Sequence, residues 1–147
     1  MIQSNFVDGK WSPLAIASFS GRYDDLEPFL SPDERRLYFA SNRPLDLTTD
    51  TILDYNIWYV ERKSNREPWS APINIGAPIN TLQDEFYPCI TLSGNLYFTG
   101  GGSGTKGKDD IFLSEWKNGM FTPPQSLDTP SIPKAMNLML LFLLMNH

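Results

Sequence analysis

The chain has 147 residues, which is long enough for a single domain with a buried core. Aromatic side chains make up 13% of the residues, and there are 10 glycines and 12 prolines, a composition typical of all-β proteins with many turns. The formal net charge of −5 argues against a nucleic-acid partner held by phosphate contacts.

The N-terminal residues 1–14 are predicted to form the last strand of a β-sheet unit. They contain a turn pattern, Asp8 and Gly9 followed by Trp11, in which the turn residues tolerate the positive φ angles of a chain reversal. Related patterns occur twice more, at Ser64, Asn65 and Trp69, and at Asn118, Gly119 and Phe121. The middle one lacks the glycine and has a longer gap.

Residues 26–76 are predicted to form one four-stranded antiparallel sheet. The four strands are expected, from innermost to outermost, at residues 27–30, 36–41, 55–62 and 69–75. The third strand is mostly β-branched and aromatic, which is typical of a strand covered on both faces. Pro32 and Asp33 occupy favoured positions of a tight turn between the first two strands.

Residues 84–129 are predicted to form a second sheet of the same kind. Its strands are expected at residues 84–91, 95–100, 110–116 and 121–127. Cys89 is the only cysteine, so an internal disulfide is excluded, and its apolar neighbours predict a small buried side chain. No helix is predicted before residue 134.

The two sheets are predicted because the sequence repeats itself. Pro28 and the turn and strand that follow it recur from Pro88 onwards, and the trio Asn56, Ile57 and Trp58 recurs as Asp110, Ile111 and Phe112. A period of 50 to 60 residues built from short strands predicts β-propeller blades, because one blade cannot bury both of its faces alone. Complete propellers have about four to eight blades, so the expected fold is an incomplete propeller.

Residues 31–43, which include Leu37, Tyr38 and Phe39 and end in Ser41, Asn42 and Arg43, resemble the TolB-type, WD-like β-propeller repeat. The signature of that repeat is Ser-Pro-Asp-Gly, two polar residues, then Leu-Tyr-Phe-x-Ser-Asn-Arg. The resemblance covers residues 6–130. Glu34 replaces the turn glycine, and residues 91–94 replace Ser-Pro-Asp-Gly in the second copy. The resemblance implies a bacterial protein that is periplasmic or exported and associated with the cell envelope, although residues 1–13 have no apolar signal-peptide core.

Residues 130–147 form an apolar tail without alternation or a polar face, expected to be irregular or helical. A shift of one base would let its codons spell Ile-Asn-Ser-x-x-Asp-Glu-Phe, followed later by Ser-Pro-Asp-Glu. Those strings match residues 79–86 and 31–34. We therefore interpret the tail as an out-of-frame segment that replaces the start of a third blade, and an interrupted shifted frame in the gene would contradict this. A short membrane anchor or packing helix is the alternative, although a span takes about 20 residues and none is predicted.

The glycine-rich residues 102–108 fit G-x-G-x-x-G and most of a phosphate-binding loop. Both motifs need a helix after the loop, whereas a strand is predicted to follow, so we interpret the segment as a long hairpin loop. The only histidine, His147, lies in the tail, so no Ser-His-Asp set can be drawn. No cofactor and no zinc-ligand cluster is predicted.

Polar residues at strand ends are the binding candidates, and none is assigned a catalytic role. Asn42 and Arg43 follow a second strand, where Arg43 would bind a ligand or the carbonyl groups of a neighbouring loop. Asp84 and Glu85 enter an innermost strand, where they could act as an acid and base pair or accept structural hydrogen bonds. Asp109 and Asp110 precede a third strand, where they could bind calcium or accept hydrogen bonds from turn amides.

Two functions remain open from the sequence. The first is a non-catalytic scaffold or binding module whose blade-edge loops contact a protein or cell-envelope partner. The alternative is a fragment of a propeller enzyme, either a glycan-degrading enzyme or the gating propeller of a serine peptidase, with its catalytic residues elsewhere. A Ser-His-Asp domain encoded downstream would favour the enzyme, and a peptidoglycan-binding domain would favour the scaffold.

Overall fold

A computed structural model of the chain describes residues 1–45, 54–101 and 110–127. The described residues form antiparallel β-structure and no helix, which confirms the predicted all-β class. In that part of the chain, no helix is long and apolar enough to cross a membrane. The described ranges contain fourteen strands: β1 (Ile2–Gln3), β2 (Phe6–Val7), β3 (Lys10–Trp11), β4 (Ala15–Ile16), β5 (Asp25–Leu30), β6 (Arg36–Ser41), β7 (Asn56–Glu61), β8 (Ile73–Asn74), β9 (Glu85–Ile90), β10 (Leu96–Gly100), β11 (Asp110–Ser114), β12 (Trp116–Lys117), β13 (Met120–Phe121) and β14 (Gln125–Ser126).

Two four-stranded antiparallel sheets contain most of the strand residues in the described part of the chain. The first sheet has the order β5-β6-β7-β8 and the second has the order β9-β10-β11-β14. Both orders agree with the strand order predicted from the sequence. The outermost strands are shorter than predicted, because residues 69–72 have no regular secondary structure and Phe121 belongs to the β12–β13 hairpin.

The N-terminal segment, in which a single strand was predicted, forms four short strands in two pairs. Strand β1 pairs with β4, with Ile2 opposite Ile16, and the β2–β3 hairpin lies between them. Strands of two residues carry no alternating pattern, so the sequence alone gave no signal for this pairing.

The main core lies between the two sheets. From the first sheet, Tyr38 and Ile57 are buried in it, and from the second sheet Ile90, Leu96 and Phe98. The segment that connects the sheets adds one more apolar side chain, that of Ile79, which is completely buried. Each sheet therefore buries one apolar face against the other.

The opposite face of the first sheet has its own core. Phe39, Trp58 and Val60 are buried there, and Met1 and Phe19 of the N-terminal segment pack against them. The third strand is thus covered on both faces, which explains its β-branched and aromatic composition.

The innermost strands of the two sheets share an unusual backbone feature. Glu27 and Tyr87, which are 60 residues apart, both have positive φ angles, 54° and 52°. Each lies where the pairing register with the next strand shifts, so both strands contain a bulge at the same position. The backbone amide of Tyr87 donates a hydrogen bond of 2.7 Å to Glu27 Oε2, so the two bulges are also in contact.

The turn that follows each innermost strand repeats as well. Ser31 and Thr91 accept, through their side-chain oxygens, hydrogen bonds of 2.9 and 3.1 Å from the amides of Arg36 and Asn95. Glu34 has a φ of 58° at the turn position where the second copy has Gly94, with a φ of 86°. A bulky side chain therefore stands in a left-handed conformation that glycine adopts more easily.

Cys89 is buried, as predicted, with 3% of its surface exposed. Burial also raises the pKa of its thiol to about 11. We expect the folded protein to react with a disulfide reagent near pH 8 at least about 100-fold more slowly than the same protein in denaturing urea, because little accessible thiolate exists. A thiol-release assay measures both rates, and equal rates would contradict the burial.

Candidate binding groove

An open cavity of about 900 Å³ lies between the two sheets, at the end where their first turns are found. Its walls come from the turn at residues 31–36, the segment at residues 61–70, the second turn at residues 90–94 and the β12–β13 hairpin. We call this cavity the groove.

Arg62 is held in a fixed position on one wall of the groove. Its guanidinium carbon lies 4.2 Å from the ring centroid of Trp69. Its Nε donates a hydrogen bond of 2.9 Å to the carbonyl oxygen of Glu34, and Nη1 donates one of 3.4 Å to that of Asn65. A stack and two hydrogen bonds therefore orient the plane of the guanidinium.

Arg62 has an equivalent in each of the other two hairpin segments of the chain. Hydrogen bonds from Ser12, Ser70 and Thr122 amides to the carbonyls of Asn5, Glu61 and Glu115 have lengths of 2.8, 2.9 and 2.9 Å. The residues that follow these carbonyls are Phe6, Arg62 and Trp116. In the outer two copies an aromatic ring meets the partner ring, with Phe6 and Trp11 at 5.1 Å and Trp116 and Phe121 at 4.7 Å. The middle copy substitutes a guanidinium for the first ring.

Some of the other charged side chains of the groove already form ion pairs or hydrogen bonds within the protein. Arg36 Nε lies 3.3 Å from Glu61 Oε2. The Asp33 carboxylate accepts a hydrogen bond of 2.6 Å from the Ser31 hydroxyl, and this bond, followed by one from the Arg35 amide, lowers the pKa of Asp33. Further exposed charges lie on the same walls, those of Arg35, Lys63 and Glu67.

No known protein family, curated protein or solved structure matches this chain.

The predicted candidate Arg43 lies at the other end of strand β6 from the groove. The guanidinium is buried, with 3% of its side chain exposed, and pairs with Asp25, whose side chain is fully buried. Arg43 Nε donates a hydrogen bond of 2.9 Å to Ser41 Oγ, and Nη2 donates one of 3.4 Å to the carbonyl of Phe19. The guanidinium is thus used inside the fold, and a role in binding stays a prediction.

The neighbouring candidate Asn42 is also buried and joins two strand ends. Its Oδ1 accepts a hydrogen bond of 3.0 Å from the amide of Asp24, and its Nδ2 donates one of 3.2 Å to Asp24 Oδ2. The oxygen and the nitrogen of the Asn42 side-chain amide are therefore both used within the fold, and a role in binding stays a prediction.

Asp84 and Glu85, which are adjacent in sequence, have different environments. Asp84 is exposed and accepts a hydrogen bond of 2.8 Å from the Tyr55 amide. Glu85 is 1% exposed, and its Oε1 accepts hydrogen bonds of 2.6 and 3.1 Å from the hydroxyl and amide of Thr81. Its Oε2 is buried and has no hydrogen-bond partner among the described residues.

Glu85 is the equivalent, in the second sheet, of Asp25 in the first sheet. Each residue begins an innermost strand and pairs with the last residue of the second strand, Asp25 with Ser41 and Glu85 with Gly100. On the neighbouring third strands, the equivalent residues are Asn56 and Asp110, and Asp110 is 1% exposed. Glu85 and Asp110, two of the predicted candidates, therefore lie on either side of Gly100 at the same level of the second sheet. Asp109, the glycine-rich loop and the C-terminal tail lie outside the described residues.

Burial of Glu85 raises its pKa to about 7, against the opposing effect of the Thr81 hydrogen bonds. Because the folded pKa exceeds the ordinary value of 4.5, this group stabilises the fold most below pH 4.5, and the contribution is lost as pH rises towards 7. We expect the free energy of unfolding to fall across that range by about 1–3 kcal/mol more in the natural protein than in Glu85→Gln. Urea unfolding at a series of pH values measures both slopes, and identical slopes would contradict the assignment.

The groove was not predictable from the sequence. Its walls come from four separate segments, and only the register of the two sheets brings them together. One signal was present, since Arg62 aligns with the aromatic residues Phe6 and Trp116 of the other hairpins.

Proposed function

We propose that this chain is a pair of β-propeller blades that acts as a non-catalytic scaffold or binding module for a protein or cell-envelope partner. The observation that carries the proposal is the repetition of one structural unit. Two sheets have the same strand order, the same bulge and the same turn, and they pack face to face. Stacking of repeated four-stranded sheets is how propellers are built.

Exposed apolar side chains support packing against further blades. The strand pair β1–β4 carries Ile2 and Ile16, which are 68% and 66% exposed, and the hairpin between them carries Trp11, which is 70% exposed. The β1–β4 pair resembles the two outermost strands of a larger sheet. Ile2 pairs with Ile16 in the same way as Phe112 of β11 pairs with Ser126 of β14. Neighbouring blades of the same propeller are therefore part of the proposal.

A binding role fits the described residues better than catalysis. Glu85 has the pKa expected of an acid or base at neutral pH, but it is 1% exposed and cannot reach a substrate. The groove, in contrast, is open and combines oriented cations with apolar surface, as binding sites do.

Co-sedimentation with purified bacterial peptidoglycan and with envelope vesicles tests the proposal. We expect saturable binding to one of these materials, competed by unlabelled protein. Absence of saturable binding to both would contradict the envelope role. Turnover of glycan or peptide substrates by the purified chain would contradict the non-catalytic role.

A further inference from the structure

The local charge of the groove is opposite in sign to the charge of the chain. Four cationic and three carboxylate side chains line it, which gives a net charge of +1, whereas the whole chain has −5. Two of the three carboxylates also have partners within the protein. Asp33 is bound by Ser31 and the Arg35 amide, and Glu61 is paired with Arg36. The groove is therefore a positive site on a negative protein, which attracts negative ligands.

Arg62 is prepared to bind a carboxylate. A guanidinium has five N–H donors, and two of those of Arg62 bond the carbonyl oxygens of Glu34 and Asn65. Its plane is fixed on Trp69, so a ligand does not have to immobilise it. The remaining donors suit the two oxygens of a carboxylate, and Arg35 and Lys63 on the same walls add further positive charge.

The aromatic rings near the groove are already in contact with other groups. Arg62 lies over Trp69, and Trp69 also packs against the second core of the first sheet. Arg36 lies 5.1 Å from the ring centroid of Tyr59. Trp116 packs edge-on against Phe121 and also touches Gly94, where an added Cβ would be 3.2 Å from the Trp116 Cβ. Sugars stack on free aromatic faces, and guanidinium groups cover two of these rings, those of Trp69 and Tyr59, so this arrangement favours a carboxylate ligand over a glycan.

Apolar side chains lie beside the cations. Leu92 is 85% exposed, and the half-buried Phe121 and the buried Ile90 also line the groove. An extended peptide that alternates acidic and aliphatic side chains would place its carboxylates on the cations and its aliphatic groups on this surface. The cavity of about 900 Å³ is large enough for several residues.

We propose that the groove binds an acidic peptide segment of a partner protein, with Arg62 as the principal carboxylate receptor and Arg35 and Lys63 as supporting cations. This inference rests on the proposed binding function and names the chemistry of the partner. The ligand is a peptide chain with acidic and aliphatic residues in alternation.

Fluorescence anisotropy with a labelled peptide tests the proposal. The probe is Gly-Leu-Glu-Leu-Glu-Leu-Glu-Gly, and its counterpart has glutamine in place of each glutamate. We expect saturable binding of the acidic probe that weakens at high salt, and at least about tenfold weaker binding of the glutamine probe. Equal binding of the two probes would overturn the proposal.

Variants of the groove locate the site. We expect Arg62→Met to weaken binding of the acidic probe by at least about tenfold, and Lys63→Gln and Arg35→Gln by about threefold each. Lys10→Gln, an exposed cation on the β2–β3 hairpin, removes the same charge elsewhere and is expected to change binding less than about twofold. Circular dichroism checks that each variant is folded. If Arg62→Met does not fold, Arg62→Lys is used instead, because it keeps the charge but removes the planar set of N–H donors of the guanidinium. Unchanged binding of that variant would overturn the role of Arg62.

Two further arms separate the sources of negative charge. Single-stranded DNA and an acidic polysaccharide are used as competitors at equal charge concentration. Competition by either one as strong as that by the unlabelled acidic peptide would overturn the peptide assignment. If peptidoglycan or vesicles bind the natural protein and Arg62→Met equally, the groove proposal fails while the binding function stands. If neither envelope material nor peptide binds, the binding function itself fails.

Discussion

Replacing Arg43 with methionine is expected to lower the free energy of unfolding by about 3–5 kcal/mol. The substitution removes the partner of Asp25, whose side chain is fully buried. Ser20 and Ser41 would still donate hydrogen bonds of 2.6 and 2.7 Å to its oxygens, but no cation would compensate its charge. A buried carboxylate without a counter-charge is much more costly than an exposed one.

The guanidinium of Arg43 also packs among three aromatic rings. Its carbon lies 5.1 Å from the ring centroid of Phe39, 5.4 Å from that of Trp58 and 5.7 Å from that of Tyr23. Methionine is apolar and flexible enough to occupy this space, so the expected loss is mainly electrostatic and not a cavity effect.

Urea unfolding measures the effect, with two controls. Asp25→Asn combined with Arg43→Met removes both charges and should recover a large part of the stability, because the lost partner is no longer needed. Arg36→Gln breaks an ion pair whose side chains are 45% and 46% exposed, and its cost should be below about 1 kcal/mol. If Arg43→Met costs no more than Arg36→Gln, Asp25 does not depend on the buried pair.

The parts of the fold that were predictable are those with a strong residue pattern. The second and third strands of both sheets alternate or concentrate apolar residues, and their positions agree with β6, β7, β10 and β11. The pairing of β1 with β4 was not predictable, because each strand has only two residues in the ladder.

Contacts between distant residues explain what the sequence did not show at the candidate sites. Arg43 was singled out by its position after a strand, but its partner Asp25 is 18 residues earlier. The bulge at Glu27 sets the register that places Asp25 opposite Ser41 and within reach of Arg43. A bulge is a backbone feature, and a glutamate with positive φ has no sequence signature. The groove was missed for a related reason, since Arg62 acquires its orientation from Trp69 and from two carbonyl groups.

The second large effect is expected at the interface between the two sheets. Leu96 is completely buried in the core that the sheets share. Leu96→Ala should lower the free energy of unfolding by about 2–5 kcal/mol, because it removes buried methyl groups and leaves a cavity against the first sheet. Urea unfolding followed by tryptophan fluorescence and by circular dichroism measures the loss.

Leu92→Ala is the matched control for that experiment. Leu92 lies four residues earlier and is 85% exposed, so the same chemical change should cost less than about 0.5 kcal/mol. The comparison also tests whether the sheets unfold together. The shared core contains side chains from both sheets. In a background with Trp11→Phe and Trp116→Phe, only Trp58 and Trp69 remain, and they belong to the first sheet and its adjoining loop. Leu96→Ala in the second sheet should lower the unfolding midpoint that these two tryptophans report. If the tryptophan signal kept its midpoint while the circular dichroism transition moved, the two sheets would be independent units, and a stack of mutually dependent sheets would no longer describe the molecule.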